Sequence, residues 1–168
     1  ALERDLEITE YAEQIGMSEV WYGEHHSGGY EIIMSPELMI AAASQRTSRI
    51  RLGTGVITVP YHSPLMTANR LAQLDHITRG RLIFGAGPGI LVADADMMGL
   101  DARESREKLD QGIDVIKRLL AGEYVTEKTG WYELKDAHCH LLPWQDPLPI
   151  AVASAFTPSG GTLAAKHD

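Results

Sequence analysis

Cysteine is almost missing from this chain. Cys139 is the single one in 168 residues, so no disulfide can form within the chain and nothing points to an oxidising compartment. Basic residues are in deficit, 15 lysines and arginines against 23 acids, which leaves a net charge of −8. That balance argues against nucleic acid and anionic membrane surfaces as partners, since both demand a basic face. No window reaches the about eighteen apolar residues of a membrane span, and no signal peptide opens the chain. Methionine is absent from the first position, where Ala1 stands, which suggests trimming or truncation. Together these absences describe a cytoplasmic protein. A hydrophobic content of 44% is that of a soluble globular chain, and residues 1–168 fit a single domain.

Helix-like and strand-like segments alternate along the chain. Leu2, Leu6, Tyr11, Ala12 and Ile15 fall near one helical face, and Gly16 suits the end of that helix. Residues 19–23 are β-prone. Ser35-Pro36-Glu37 spells a helix start: a capping hydroxyl, a proline in the first turn and an acid at the positive end of the dipole. Residues 50–58 are β-branched with interleaved glycines, as in a buried strand. Ser63-Pro64 opens a second helix that stops near Arg79-Gly80, and residues 81–85 form the next strand. Leu109, Ile113, Ile116 and Leu120 mark an amphipathic helix ended by Gly122. Residues 149–153 form a last short strand, with a helix starting near Pro158. Strand–helix units repeating about every thirty residues imply a parallel sheet, either open and doubly wound or closed as a (β/α)₈ barrel, which needs about 250 residues.

Chemistry-bearing residues gather where predicted strands end, the edge on which parallel α/β folds build their sites. Glu24-His25-His26 follows the first strand. Adjacent histidines there point apart, so a single imidazole acting as acid, base or hydrogen-bond donor is a better reading than a metal pair. A polar loop without chemistry is the alternative. Gly53-Thr54-Gly55 interrupts an apolar strand, which fits either a planar ligand laid against the backbone or tight packing of helix on sheet. The run from Gly85 to Gly89 departs from a dinucleotide fingerprint, because its third glycine comes one residue early and Pro88 lacks an amide. It is read as a backbone-lined pocket wall, followed by a loop holding Asp94 and Asp96. Ser154 and Thr157, entering the last helix, fit an anion such as a phosphate monoester or an ordinary helix cap. His138-Cys139-His140 lacks the second ligand pair of a structural zinc site, so no metal is assigned. Trp131, Tyr132 and Leu134 fit a small hairpin packed on the main fold.

The segments at residues 24–26, 51–56 and 74–85, in this order and spacing, resemble the bacterial luciferase-like flavin monooxygenase family. Within it the resemblance is strongest to the limonene 1,2-monooxygenase type, carried by residues 23–29, 85–89 and 131–137. The resemblance covers nearly the whole chain. It implies a (β/α)₈ TIM-type barrel, present here as a partial barrel of about five βα units, with a first strand before Ala1 and closing strands after Asp168. It also implies reduced FMN as the oxygen-activating cofactor, a separate flavin reductase, a homodimer, and a small hydrophobic substrate such as a terpene or aldehyde. By position, His25 matches the family's active-site histidine and Glu24 its neighbour. Thr54 and Gly55 match the strand beneath the isoalloxazine ring, and Ser154 and Thr157 match hydroxyls that contact the flavin phosphate. Where luciferase proper has a phosphate-binding arginine, this chain has Pro88. Two alternatives stand beside this expectation: a deazaflavin-dependent oxidoreductase on the same barrel, and a non-catalytic flavin-binding or truncated barrel protein.

Overall fold

The computed structural model describes residues 1–154 and 158–167. Helix α1 (Leu2–Gln14) leads into strand β1 (Glu19–Tyr22), helix α2 (Pro36–Ser44), and strands β2 (Arg51–Thr54) and β3 (Ile57–Thr58). Helix α3 (Pro64–Thr78), strand β4 (Leu82–Gly87), the short helix α4 (Val92–Met97) and helix α5 (Ser105–Leu120) follow. Strands β5 (Val125–Lys128) and β6 (Glu133–Ala137) pair as an antiparallel hairpin, then β7 (Ile150–Val152) and helix α6 (Ser159–Lys166) complete the described chain.

Every pairing in the main sheet is parallel. Its five strand segments occupy four positions, β1, then β2 with β3, then β4, then β7, because β2 and β3 pair successive parts of the same β4. Spatial order therefore follows chain order without reversal. With right-handed crossovers, that order puts all connecting helices on one side, the winding of a barrel and not of a doubly wound sheet. Among the described residues the architecture is a partial (β/α)₈ barrel: four strand–helix units, with α1 packed against α2 in the same outer layer.

The core lies between the sheet and this layer. Leu52, Leu82, Phe84 and Ala86 project from the strands, and Ile40, Ala68, Leu71, Ile113 and Ile116 meet them from the helices, all out of contact with water. The predicted stripe of α5 is buried as expected, and the hairpin packs on it through Trp131, whose indole donates to Gln111 at 2.9 Å. Two sequence expectations change. Ser35 and Ser63 stand at the N-caps of α2 and α3, but neither caps through its side chain; Ser35 donates to Glu37 at 2.9 Å instead. The segment after Gly89, expected to be a loop, contains α4. The motif at residues 74–85 serves the scaffold: Asp75 accepts two hydrogen bonds from Gln145, and Arg81 ties the carbonyls of Ser44, Thr47, Ile50 and Thr78 together.

Glu13 anchors the last turns of α1 to the entry of β2. Its carboxylate accepts the amides of Ser48, Arg49 and Ile50 at 2.7–3.1 Å. Burial pushes this carboxyl up, but the amides of Ile50, Arg49 and Ser48 and the Ser48 hydroxyl outweigh it and hold the group at about 2. A depressed value means that the stabilisation is complete above the ordinary 4.5 and is lost as pH falls toward 2. Glu13→Ala is expected to cost about 1–2 kcal/mol at pH 7 in urea unfolding, since the freed amides can rehydrate. The gap between variant and parent should narrow below pH 4.

Candidate active site

The carboxyl ends of the parallel strands open on one cavity of about 1100 Å³. Its walls are the segment after β1, the break between β2 and β3, the segment from Pro88 through α4, the first turns of α5, and the junction of β7 with α6. A second cavity of about 440 Å³ lies between β7, α5 and α6, away from the side chains described next.

Glu24 is the most heavily engaged group. It is 4% exposed, and one oxygen accepts from Nε2 of both His26 (3.0 Å) and His62 (2.7 Å). The other accepts the backbone amide of Thr58 at 2.6 Å. Both rings must carry a hydrogen on Nε2 to donate in this way. Burial alone would raise this carboxyl; His62, the Thr58 amide and His26 together hold it below the ordinary carboxylate range. Glu24 thus ties the end of β1 to β3 and to the single turn of 3₁₀ helix, Val59–Tyr61, that follows.

His25 points the other way, as adjacent positions at a strand end should. Its Nε2 lies 3.1 Å from Glu31, and its Nδ1 lies 3.6 Å from Asp94. The latter is beyond hydrogen-bond reach, and Nδ1 is buried without a partner among the described residues. Asp94, 2% exposed on α4, accepts the His26 amide at 3.2 Å and the Ser27 hydroxyl at 2.5 Å. Burial raises its carboxyl, but Ser27, the His26 amide and His25 hold it below the ordinary range.

The glycine strand resolves differently from either sequence reading. A Cβ on Gly53 would lie 2.3 Å from the Trp21 indole, and one on Gly85 would lie 3.1 Å from the same ring. The flat group that those glycines admit is the chain's own Trp21, reaching across from β1. Thr54 does not line the cavity. The break at Gly55-Val56 leaves Gly85 without a backbone partner on that side, and the Thr54 hydroxyl replaces it, donating to the Gly85 carbonyl and accepting its amide, both at 2.8 Å. Gly55 and Val56 do line the cavity, as do Glu24, His25 and Ser154. Thr157 lies outside the described residues. His138 stacks on Tyr124 at 4.2 Å and faces His140, while Cys139 is buried in the core. Among the described residues no group of His, Cys, Asp and Glu is arranged to hold a metal ion.

The sequence reading therefore found His25, Glu24, Gly55 and Ser154 on one cavity and missed Asp94 and Thr58, which also line it, and His62, which holds Glu24. Asp94 meets His26 across 68 positions, so no local spacing could have signalled it.

The luciferase-like monooxygenase family model matches residues 1–167. The chain belongs to that family. A limonene 1,2-monooxygenase of Rhodococcus erythropolis is 52% identical over 99% of this chain and 43% of its own length. A 4-hydroxyprotoasukamycin monooxygenase of Streptomyces nodosus subsp. asukaensis is 49% identical over 99% and 46%. Among solved structures, a monooxygenase from Streptomyces bottropensis superposes with a TM-score of 0.91 at 34% identity, covering 98% of this chain and 51% of that one. The chain thus spans a little under half the length of these two sequence relatives. No described helix is long and apolar enough to cross a membrane.

Glu24→Gln should expose how far this family member depends on its buried carboxylate. The amide turns an NH₂ toward groups that are all donors, at an expected cost of about 1–3 kcal/mol in urea unfolding at pH 7. Because the Glu24 value is depressed, its contribution is complete above the ordinary 4.5 and lost as pH falls through the folded value. The penalty should accordingly shrink in acid.

Proposed function

We propose that the protein of which this chain forms part is a monooxygenase that uses reduced FMN and oxygen to oxygenate a small hydrophobic substrate. The observation that carries the reading is the cavity at the carboxyl edge of the sheet, with His25 on its wall, in a member of this family. At about 1100 Å³ it is at the upper end of the roughly 300–1,000 Å³ of small-molecule pockets, which gives room for a large flat ligand. A wall made of Gly55 backbone suits a flat polar ligand.

When bound, reduced FMN supplies the electrons that activate molecular oxygen. The ring would lie against Gly55-Val56, held in place because Glu24 fixes the Thr58 amide beyond them. Ser154 and the amino end of α6 would face the phosphate. Ile90, Val92, Leu109 and Leu163 line the rest of the cavity and would exclude water around an apolar substrate. The His25 imidazole would hold or move a proton at the reacting end. A separate reductase belongs to this reading, as does a homodimer, for which Ile8 and Tyr11 on α1 and Ile15 at its C-cap stand exposed.

Full-length protein given reduced FMN and oxygen should consume oxygen in step with an apolar substrate such as a terpene. His25→Ala should lower turnover by about 10²-fold or more while FMN is still retained; unchanged turnover would remove His25 from the mechanism. Hydride transfer with a reduced deazaflavin, without oxygen uptake, would favour the oxidoreductase alternative. Flavin retention with no turnover under either regime would mark a binding protein.

A further inference from the structure

His25 sits between two carboxylates of unequal character. Glu31, 3.1 Å from Nε2, lies in the segment after β1 and its side chain is 44% exposed. Asp94, 3.6 Å from Nδ1, comes from α4, and its side chain is 3% exposed. A neutral imidazole has one ring hydrogen and can serve only one of them. With the hydrogen on Nε2, the ring points it toward the side of Glu31, with which it makes a close contact but no aligned hydrogen bond, and leaves a lone pair on the buried Nδ1 facing an anionic oxygen. With the hydrogen on Nδ1, the ring serves Asp94 and frees Nε2.

Burial decides between these states. Glu31 can exchange the imidazole for water at little cost, because exposed pairs contribute little. Asp94 is held in place, because its other oxygen accepts the His26 amide and the Ser27 hydroxyl. The atom that lacks an exchange with water is Nδ1 of His25 itself, buried without a partner among the described residues, and a buried polar atom left unpaired is costly; Asp94 is the acceptor that faces it. The other charged or titratable groups nearby are Glu24, occupied by His26 and His62, and Tyr61, whose hydroxyl is pushed up by burial and then by Asp94 and Glu24. Asp94 itself is held below the ordinary carboxylate range, and so is anionic at neutral pH.

We propose that Asp94 is the positioning residue of His25: it accepts the Nδ1 hydrogen, fixes the ring's tautomer, and leaves Nε2 as the atom that accepts a proton or hydrogen bond from a ligand in the cavity. The approach needed is about 0.7 Å shorter than the present separation, within the reach of a ring rotation. The short helix after β4 thereby sets the chemistry of a residue after β1. The catalytic consequence rests on the reading of His25 as the group facing the flavin; the pairing is a property of the chain without ligand.

The test uses full-length, flavin-free protein labelled with ¹⁵N, in which two-bond ¹H–¹⁵N correlations show which ring nitrogen of His25 is protonated. The expected result at pH 8 is Nδ1–H, and an Nε2–H tautomer in the parent protein would overturn the proposal without any variant. Asp94→Asn keeps a carbonyl oxygen for the His26 amide and the Ser27 hydroxyl but can turn an NH₂ toward Nδ1. It should move the ring to Nε2–H, leave Tm within a few degrees, lower kcat about 10- to 100-fold and displace the pH profile of kcat/KM. Asp94→Glu should recover part of that profile. An unchanged tautomer and profile in a folded Asp94→Asn protein would show that Asp94 only tethers the loop. Absence of oxygen uptake would count against the flavin reading alone, since the tautomer measurement does not depend on it.

Discussion

An ionised carboxylate withdrawn almost completely from water loses several kcal/mol of solvation, and it persists only where donors replace the lost water. Glu24 meets that condition with three donors from three parts of the chain: His26 beside it, the Thr58 amide on β3, and His62 beyond the 3₁₀ turn. Much of the cavity depends on this convergence. It fixes where β3 restarts after the break, so it sets the position of the Gly55-Val56 wall. It also draws His26 to one side and leaves His25 to the other, facing α4 and the cavity.

The break in the second strand needs its own compensation. A continuous strand would have paired its backbone with Gly85; the interrupted one presents the Thr54 hydroxyl, which donates and accepts at that single residue. A Cβ at Gly85 would come within 1.8 Å of the Thr54 carbonyl, so glycine there is a condition of the bridge. The Trp21 indole covers the same glycines from the face opposite the helices. Sheet packing and cavity shape are in this way one problem solved by a few small residues.

Two buried carboxylates divide the labour on the loop after β1. Glu24 ties it to the second strand position and Asp94 to the segment after the third, so residues far apart in the chain arrive at one place with little freedom. Such restraint matters for a group that must present one ring nitrogen to a ligand, because misplacement of about 1 Å can cost a large part of a catalytic effect. The short helix α4 has few buried residues of its own, and its hold on the loop runs through Asp94.

The sequence by itself determined the order and kind of the main elements, because apolar spacing, proline starts and glycine stops are local signals. It also determined that Glu24, His25, Gly55 and Ser154 belong near one edge, since each follows a strand and parallel winding brings strand ends together. Resemblance added the family, through segments that prove to be partly scaffold, such as Asp75 and Arg81. What the tertiary structure decided is partnership. Thr54 and Gly55 are neighbours in the chain, yet only the backbone break sends one to the sheet and the other to the cavity. Asp94 and His62 looked unremarkable in sequence because a polar residue's role depends on the hydrogen-bond partners that surround it, and those partners lie 68 and 38 positions away. Local patterning sets which segments form; long-range desolvation sets which polar groups must meet.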